Sequence, residues 1–330
     1  MRREPFPIVA ELSPDKLTPA EEKAFELLRA EHDKTAIDMD DFEGVEGYSG
    51  ERIKKDKGRV ARKKREIKEM GTEPTRKAQL LEMVLTDQIE LSNWFGQDTY
   101  TIIPAEYDDL FHGVDLALEI EDESAIKHLA LGIDATSSAK KVREKLKKIK
   151  DHIADGTLTA MEYFHSDDHN PDFYGTMRNI PQVVIGADGK TIRDLGELWM
   201  SAYGLARLRQ RSGGPALSPE AEESQKQRVR EAKEKLASHR AQFLLLEEIK
   251  MQLVAFRKFA IEESRVQEAK GSTQLAEKIM QAANKFESTL NLINSVLQEK
   301  DIPDREDVFR NSEDRVFQSL SEAVSDFENL

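Results

Sequence analysis

The chain has 330 residues, with 38% hydrophobic and 34% charged side chains and a formal net charge of −14. That length allows about two domains. The absence of cysteine excludes disulfides and thiolate metal sites. No apolar run is long enough to span a bilayer, and the N-terminal MRREPFPIVA lacks the apolar stretch of a signal peptide. A soluble cytoplasmic protein with no membrane partner is expected, with long solvated helices beside a modest globular unit.

In chain order, Thr18-Pro19-Ala20-Glu21 is a capping box with proline at the first helical position, opening a helix through Ala30. Residues 38–50 are acidic and contain glycine, the composition of a loop. Residues 52–70 are basic and nearly without large apolar side chains, so they predict a solvated helix or disorder that buries little. Leu81, Val84, Leu85, Leu91, Trp94 and Phe95 recur at helical spacing over 77–95, and Gly96 ends that helix. A short strand is expected at 99–103. Val114, Leu116, Leu118 and Ile120 alternate in VDLALEI, and LALGIDA at 129–135 reads as a strand covered on both faces. Residues 121–124 are the charged turn between them.

Ser137 or Ser138 caps a helix over 139–155 whose buried stripe is Val142, Leu146, Ile149 and Ile153. Strands follow at 158–164 and 182–185, then a turn at 187–190 and a helix over 195–208. Residues 209–216, with Gly213-Gly214-Pro215, read as a linker. Beyond it, Ser218-Pro219-Glu220 starts a helix running to about Lys270, with Leu245, Ile249, Gln252, Phe256 and Phe259 along one stripe. Gly271-Ser272 breaks it, and a second helix carries Leu275, Ile279, Ala282, Phe286, Leu290, Ile293 and Leu297. The two stripes predict an antiparallel hairpin, and an unpartnered stripe would also allow a protein partner or a homodimer. One or two short helices close the chain over 304–327. Three units result: a helical, basic N-terminal appendage (1–74), a central α/β unit (75–210) and a C-terminal all-α helical hairpin (217–330).

One juxtaposition in this order carries chemistry. Asp115 begins the first long strand and Asp134 ends the second, so a hairpin brings the two carboxylates to one edge of the sheet. Held together they repel unless a cation or a proton lies between them, and a hard divalent metal suits oxygen ligands. The order helix, strand, strand with an acid, strand ending in an acid, helix, strand over 75–200 resembles the PD-(D/E)XK nuclease superfamily. That resemblance rests on Asp115 in GVDLALEI and Asp134 in GIDAT. It implies a restriction-endonuclease-like mixed sheet flanked by helices. It also implies Mg2+ or Mn2+ on Asp115 and Asp134 and hydrolysis of phosphodiester bonds in DNA or RNA. Asp109, in YDDLFHG, is a further candidate for the metal shell. The family's helix acid maps to Glu82 ahead of Glu90, with Asp87 also available. Thr136 stands where the family usually has lysine; some branches move that lysine to the following helix, which here offers Lys141 first, then Lys145 and Lys140.

Charge distribution bears on the substrate. Residues 51–70 carry ten Lys/Arg against four Asp/Glu, and 140–150 carry seven against one. Two basic segments in an acidic chain are candidate phosphate-facing surfaces, naming Arg62, Lys63, Lys64, Lys140, Lys145 and Lys148 for nucleic acid, DNA first. HSDDH, from His165 to His169, offers transition-metal donors at a spacing that matches no compact motif. His112 reads as a loop donor, and Phe111, Tyr163, Phe164, Phe173 and Tyr174 could stack bases, although Tyr163 or Phe164 belongs in the core. The alternative to a nuclease is a catalytically inactive nuclease-fold scaffold or adaptor that works through its long hairpin; the net charge and Thr136 favour it.

Overall fold

The computed structural model describes residues 16–122, 125–166, 174–212, 218–300, 309 and 312–328. The apolar runs on either side of residue 123 form the two central strands of a mixed sheet. β1 (Thr99–Ile102), β2 (Leu116–Asp122), β3 (Ala125–Thr136) and β6 (Gln182–Gly186) make four strands in the order β1-β2-β3-β6. The first three are antiparallel neighbours, and β6 is parallel to β3. A parallel partner needs a crossover. It is made by α5 (Ala139–Ala154) and a hairpin of β4 (Thr159–His165) and β5 (Tyr174–Ile180). Leu116, Leu118, Ile120, Leu131 and Ile133 pack into the main core, while Ala117 and Ala130, on the opposite face, pack with Met161, Phe164 and Ile180 of the hairpin. β5 is absent from the expected elements: its sequence, YGTMRNI, has no clean alternation.

Groups from outside the sheet bond to both of its edges. On β1, the Thr101 N–H donates to Glu90 at 2.7 Å, and the Ile103 carbonyl just beyond the strand accepts from the Ile37 N–H at 3.1 Å. On β6, the Gln252 amide accepts from the Val184 N–H at 2.8 Å and donates to the Val184 carbonyl at 2.6 Å, while Glu248 accepts from the Gly186 N–H at 2.9 Å. An unpaired edge is a template for adding foreign strands. Here the helices supply the missing partners.

The N-terminal residues are built into the fold. The capping box at Thr18 and Glu21 starts α1 (Pro19–Thr35) as its sequence predicts. The stretch expected as a loop at 38–50 contains a 3-10 turn, Met39–Phe42, whose Phe42 ring lies 5.1 Å from Tyr48 and 5.2 Å from Tyr163. The basic segment forms α2 (Gly50–Met70), a largely solvated helix as its composition predicts, with Ile53, Asp56 and Val60 buried. Its polar residues are buried as partners: Asp56 accepts from the Tyr163 hydroxyl at 3.1 Å and pairs with Arg59 at 3.2 Å.

α3 (Arg76–Ser92) follows, then α4 (Glu106–His112), a helix too short for periodicity to reveal. α6 (Gly189–Trp199), a π turn at Met200–Gly204 and α7 (Leu205–Ser212) occupy the region expected as one helix. The helix starts six residues earlier than expected because Asp188 caps it, accepting from the Lys190 and Thr191 N–H groups at 2.9 and 3.0 Å.

The single helix expected to reach Lys270 is two, α8 (Pro219–Ala237) and α9 (Ala241–Ala269), separated at Ser238. α9 and α10 (Thr273–Glu299) form the antiparallel hairpin, turning at Gly271, whose φ of 80° suits glycine. Leu245, Ile249 and Phe256 on one arm and Ile279, Phe286 and Ile293 on the other are buried. α11 (Arg315–Glu328) packs on α9 and α5. One hydrophobic cluster runs from Leu17 through the sheet to Phe327, so the three expected units share a core. Residues 1–15, 167–169, Phe173 and 213–217, on which some expectations fall, lie outside the described residues. Among the described residues no helix is long and apolar enough to cross a membrane.

Candidate active site

The register of β2 and β3 pairs Leu116 with Ile133, so the next pair outward is Asp115 and Asp134. Alternation along the strands puts both on one face. The Asp115 N–H donates to the Ile133 carbonyl at 2.8 Å, and its carboxylate accepts from the Ala135 N–H at 2.7 Å. Asp134 and Asp109 both lie close enough to Asp115 to act on its carboxyl group. The sheet end thus gathers three carboxyl groups.

Asp109 arrives through its neighbour. Asp108 is fully buried and accepts from the Glu162 N–H at 2.6 Å, the Tyr163 N–H at 3.0 Å and His112 Nδ1 at 2.7 Å. It staples α4 to β4. The next residue is turned by about 100° around the helix, and Asp109 meets Asp115. Adjacent acids therefore divide into a buried staple and a site residue, and His112 serves the staple. Asp109 keeps an exposed surface, with Glu82, Asp115 and Asp134 near its carboxyl group.

Two helices add the remaining groups. Glu82 on α3 raises the pKa of both Asp109 and Asp115 by its charge. Glu90 instead caps β1, bonding the Thr101 N–H and hydroxyl, and Asp87 accepts from the Trp199 indole at 2.6 Å. Of the three acids considered on α3, Glu82 is the one facing the cluster. From α5, the Lys145 ammonium donates to Asp134 Oδ1 and to the Ala135 carbonyl at 3.0 Å. Lys141, placed first from the sequence, is exposed, and so is Lys140. Of the three, Lys145 is the one placed against Asp134. Lys145 flanks the buried stripe of Val142 and Leu146, and its four-carbon stem spans the turn back to β3. Thr136 is buried, and its hydroxyl accepts from the Ser138 N–H at 3.1 Å at the start of α5.

The electrostatics follow from crowding. Burial, then the charges of Asp134, Glu82 and Asp109, hold the Asp115 carboxyl well above the usual range. Burial and the Glu82 charge push Asp109 up to about 6. Burial raises Asp134 too, although Lys145 opposes it. Among the described residues no group of three or more His, Asp or Glu side chains stands ready to hold a metal ion. Lys145 already engages an oxygen of Asp134. The donors themselves, three carboxyl groups beside the Ala135 carbonyl, are hard oxygens that suit Mg2+ or Mn2+.

Basic residues flank this end. Lys64 on α2 pairs with Glu106, one turn before Asp109 on α4. Arg62 is exposed and Lys63 half-buried. On the other side, Lys148 pairs with Glu144 at 3.0 Å and also acts on Asp134 through its charge. Tyr163 and Phe164 are buried and closed to a base; Phe111 lies under Arg59, whose guanidinium is 4.7 Å from the ring. His165 stacks on Tyr174 at 3.9 Å. A cavity of about 660 Å³ lies beside β1, lined by His32, Glu90, Tyr100 and Tyr174 among others, and does not include the acids. Comparison with protein families, with curated proteins and with solved structures finds no match for this chain.

Proposed function

We propose that this protein is a metal-dependent nuclease of the PD-(D/E)XK type, with a restriction-endonuclease-like fold, that hydrolyses phosphodiester bonds of DNA or RNA. The observation that carries this reading is the convergence of Asp115, Asp134, Asp109, Glu82 and Lys145 at one end of a four-stranded mixed sheet. The order α3, β1, β2, β3, α5 and β6, with α4 inserted before β2 and the β4–β5 hairpin before β6, supports it.

Asp115, Asp134 and Asp109 would hold Mg2+ or Mn2+, which supplies Lewis-acid charge to a phosphoryl oxygen and to a water. Lys145 sets a positive charge beside Asp134, where it offsets the charge growing on the phosphate. Glu82 provides a further carboxylate to accept a proton. Lys140 and Lys148 on one side, with Arg62, Lys63 and Lys64 on the other, contact the nucleic-acid backbone, DNA in the first instance.

The alternative is an inactive scaffold of the same fold. Thr136 favours it; the placement of Lys145 against Asp134 favours the nuclease. The test is cleavage of plasmid, linear duplex and single-stranded DNA with Mg2+ or Mn2+, beside the Asp134→Ala variant. Metal-dependent nicking that Asp134→Ala abolishes supports the enzyme. No cleavage of any substrate under either metal leaves the scaffold reading in its place.

A further inference from the structure

We propose that His32 is a positioning residue for Glu82, an inference that rests on the nuclease reading and deepens it. His32 sits in the last turn of α1, in the segment whose sequence suggests only an appendage. Its Nε2 is shielded from solvent and has no hydrogen-bond partner, and it lies 3.5 Å from Glu82 Oε1. Both side chains are largely covered, at 15% and 19% exposure. A buried imidazole nitrogen without a partner is unfavourable relative to a paired one. The separation is slightly beyond a good hydrogen bond. A small rotation of Glu82 closes it, as contacts around reacting groups often tighten only in the working complex.

The surroundings assign the direction of the effect. Glu82 lies near the Asp109 and Asp115 carboxyl groups, and His32 approaches its Oε1. A donor at His32 Nε2 holds one oxygen and leaves the second turned toward the acid cluster. Without that donor, a carboxylate beside two others turns away. The neighbouring groups do not compete for the role. Glu31 is bonded by Arg207, and the Thr86 hydroxyl donates to the Glu82 carbonyl. α1 therefore belongs to the site, although it lies outside the strand–strand–helix core.

The experiment compares full-length wild type, His32→Gln, His32→Leu, Glu82→Gln and the double variant His32→Leu/Glu82→Gln. Plasmid cleavage with Mg2+ gives kcat and KM separately, with a thermal midpoint for each protein. His32→Leu lowers kcat by roughly 10–100-fold, the usual effect of losing a group that orients a site residue, with KM for DNA held. His32→Gln, which keeps an N–H near the same point, restores most of the loss. On the Glu82→Gln background, His32→Leu costs nothing further. The idea is overturned if His32→Leu matches wild type in kcat, if glutamine fails to restore it, or if the two losses add. A kcat loss that only follows a lowered thermal midpoint overturns it as well. Wild type that cuts nothing under Mg2+ or Mn2+ removes the nuclease reading and this proposal together, whereas active wild type with an unaffected His32→Leu removes only the latter.

Discussion

Lys145 and Asp134 are joined across the β3–α5 corner: the ammonium donates to Asp134 Oδ1 and, at 3.0 Å, to the Ala135 carbonyl. Thr136 carries no charge, and this ammonium reaches β3 from two turns into the next helix. Under the nuclease reading, Lys145→Met lowers kcat by roughly 10²–10³-fold, the scale of losing one preorganised donor at a developing charge. Mn2+ affinity measured by calorimetry holds or rises, because the ammonium no longer competes for an oxygen of Asp134. Lys141→Ala, an exposed position, leaves kcat within about twofold of wild type, since surface charges act weakly at a distance in water. A heavy loss in Lys141→Ala with none in Lys145→Met reverses the assignment.

The acid cluster destabilises the fold once it ionises. Asp109 titrates near 6, and the Asp115 and Asp134 carboxyls are also raised, so the folded state holds protons that an unfolded chain releases near pH 4. The stability this provides is present below the unfolded value and disappears as pH rises through about 6. In buffers with a chelator, Asp109→Asn therefore melts above wild type at pH 7.5, and the difference closes by pH 4. Adding Mn2+ at pH 7.5 raises the wild-type melting temperature more than that of Asp115→Asn. A wild type that outlasts Asp109→Asn at pH 7.5 without metal contradicts this account.

The β6 edge depends on one amide. Gln252 is fully buried and satisfies both backbone groups of Val184. Gln252→Leu leaves a buried donor and a buried acceptor unpaired, at about 1–3 kcal/mol each. Urea unfolding should show that loss as a lower midpoint at an unchanged slope. At the neighbouring clamp, burial holds the Glu248 carboxyl well above its usual range, although its bond from the Gly186 N–H opposes the shift. Glu248→Gln keeps an acceptor and adds no charge, and it unfolds close to wild type, whereas Glu248→Ala follows Gln252→Leu.

α2 carries charge past its last buried residue. Val60 is buried, and no residue from Ala61 to Met70 is. If this overhang meets phosphates, Arg62→Ala and Lys63→Ala each weaken duplex binding uniformly across sequences and lower the slope of log K against log salt by about 1. Fluorescence anisotropy in a chelator checks this without cleavage. Unchanged slopes in both variants separate α2 from the substrate.

Much of the frame is legible in the residues themselves. The capping box at Thr18, the stripe of Val142, Leu146, Ile149 and Ile153, and the break at Gly271 are local signals, because caps, helical period and positive φ depend on neighbours within a turn or two. The approach of Asp115 to Asp134 follows from hairpin register alone. The rest depends on contacts far apart in sequence. The choice among Lys140, Lys141 and Lys145 turns on which side of α5 meets β3, and periodicity leaves neighbouring positions open. The choice of Glu82 over Glu90 turns on Glu90 being taken by the Thr101 edge, 11 residues away. Asp108 and Asp109 are indistinguishable as letters; burial against β4 separates them. His32 carries no sequence signal, since only the packing of α1 against α3 brings its ring to Glu82. Local chemistry set the elements and the acidic pair, while the third carboxyl group, the lysine and the closed edges came from tertiary packing, which alone decides which side chains lose water and which partners they find.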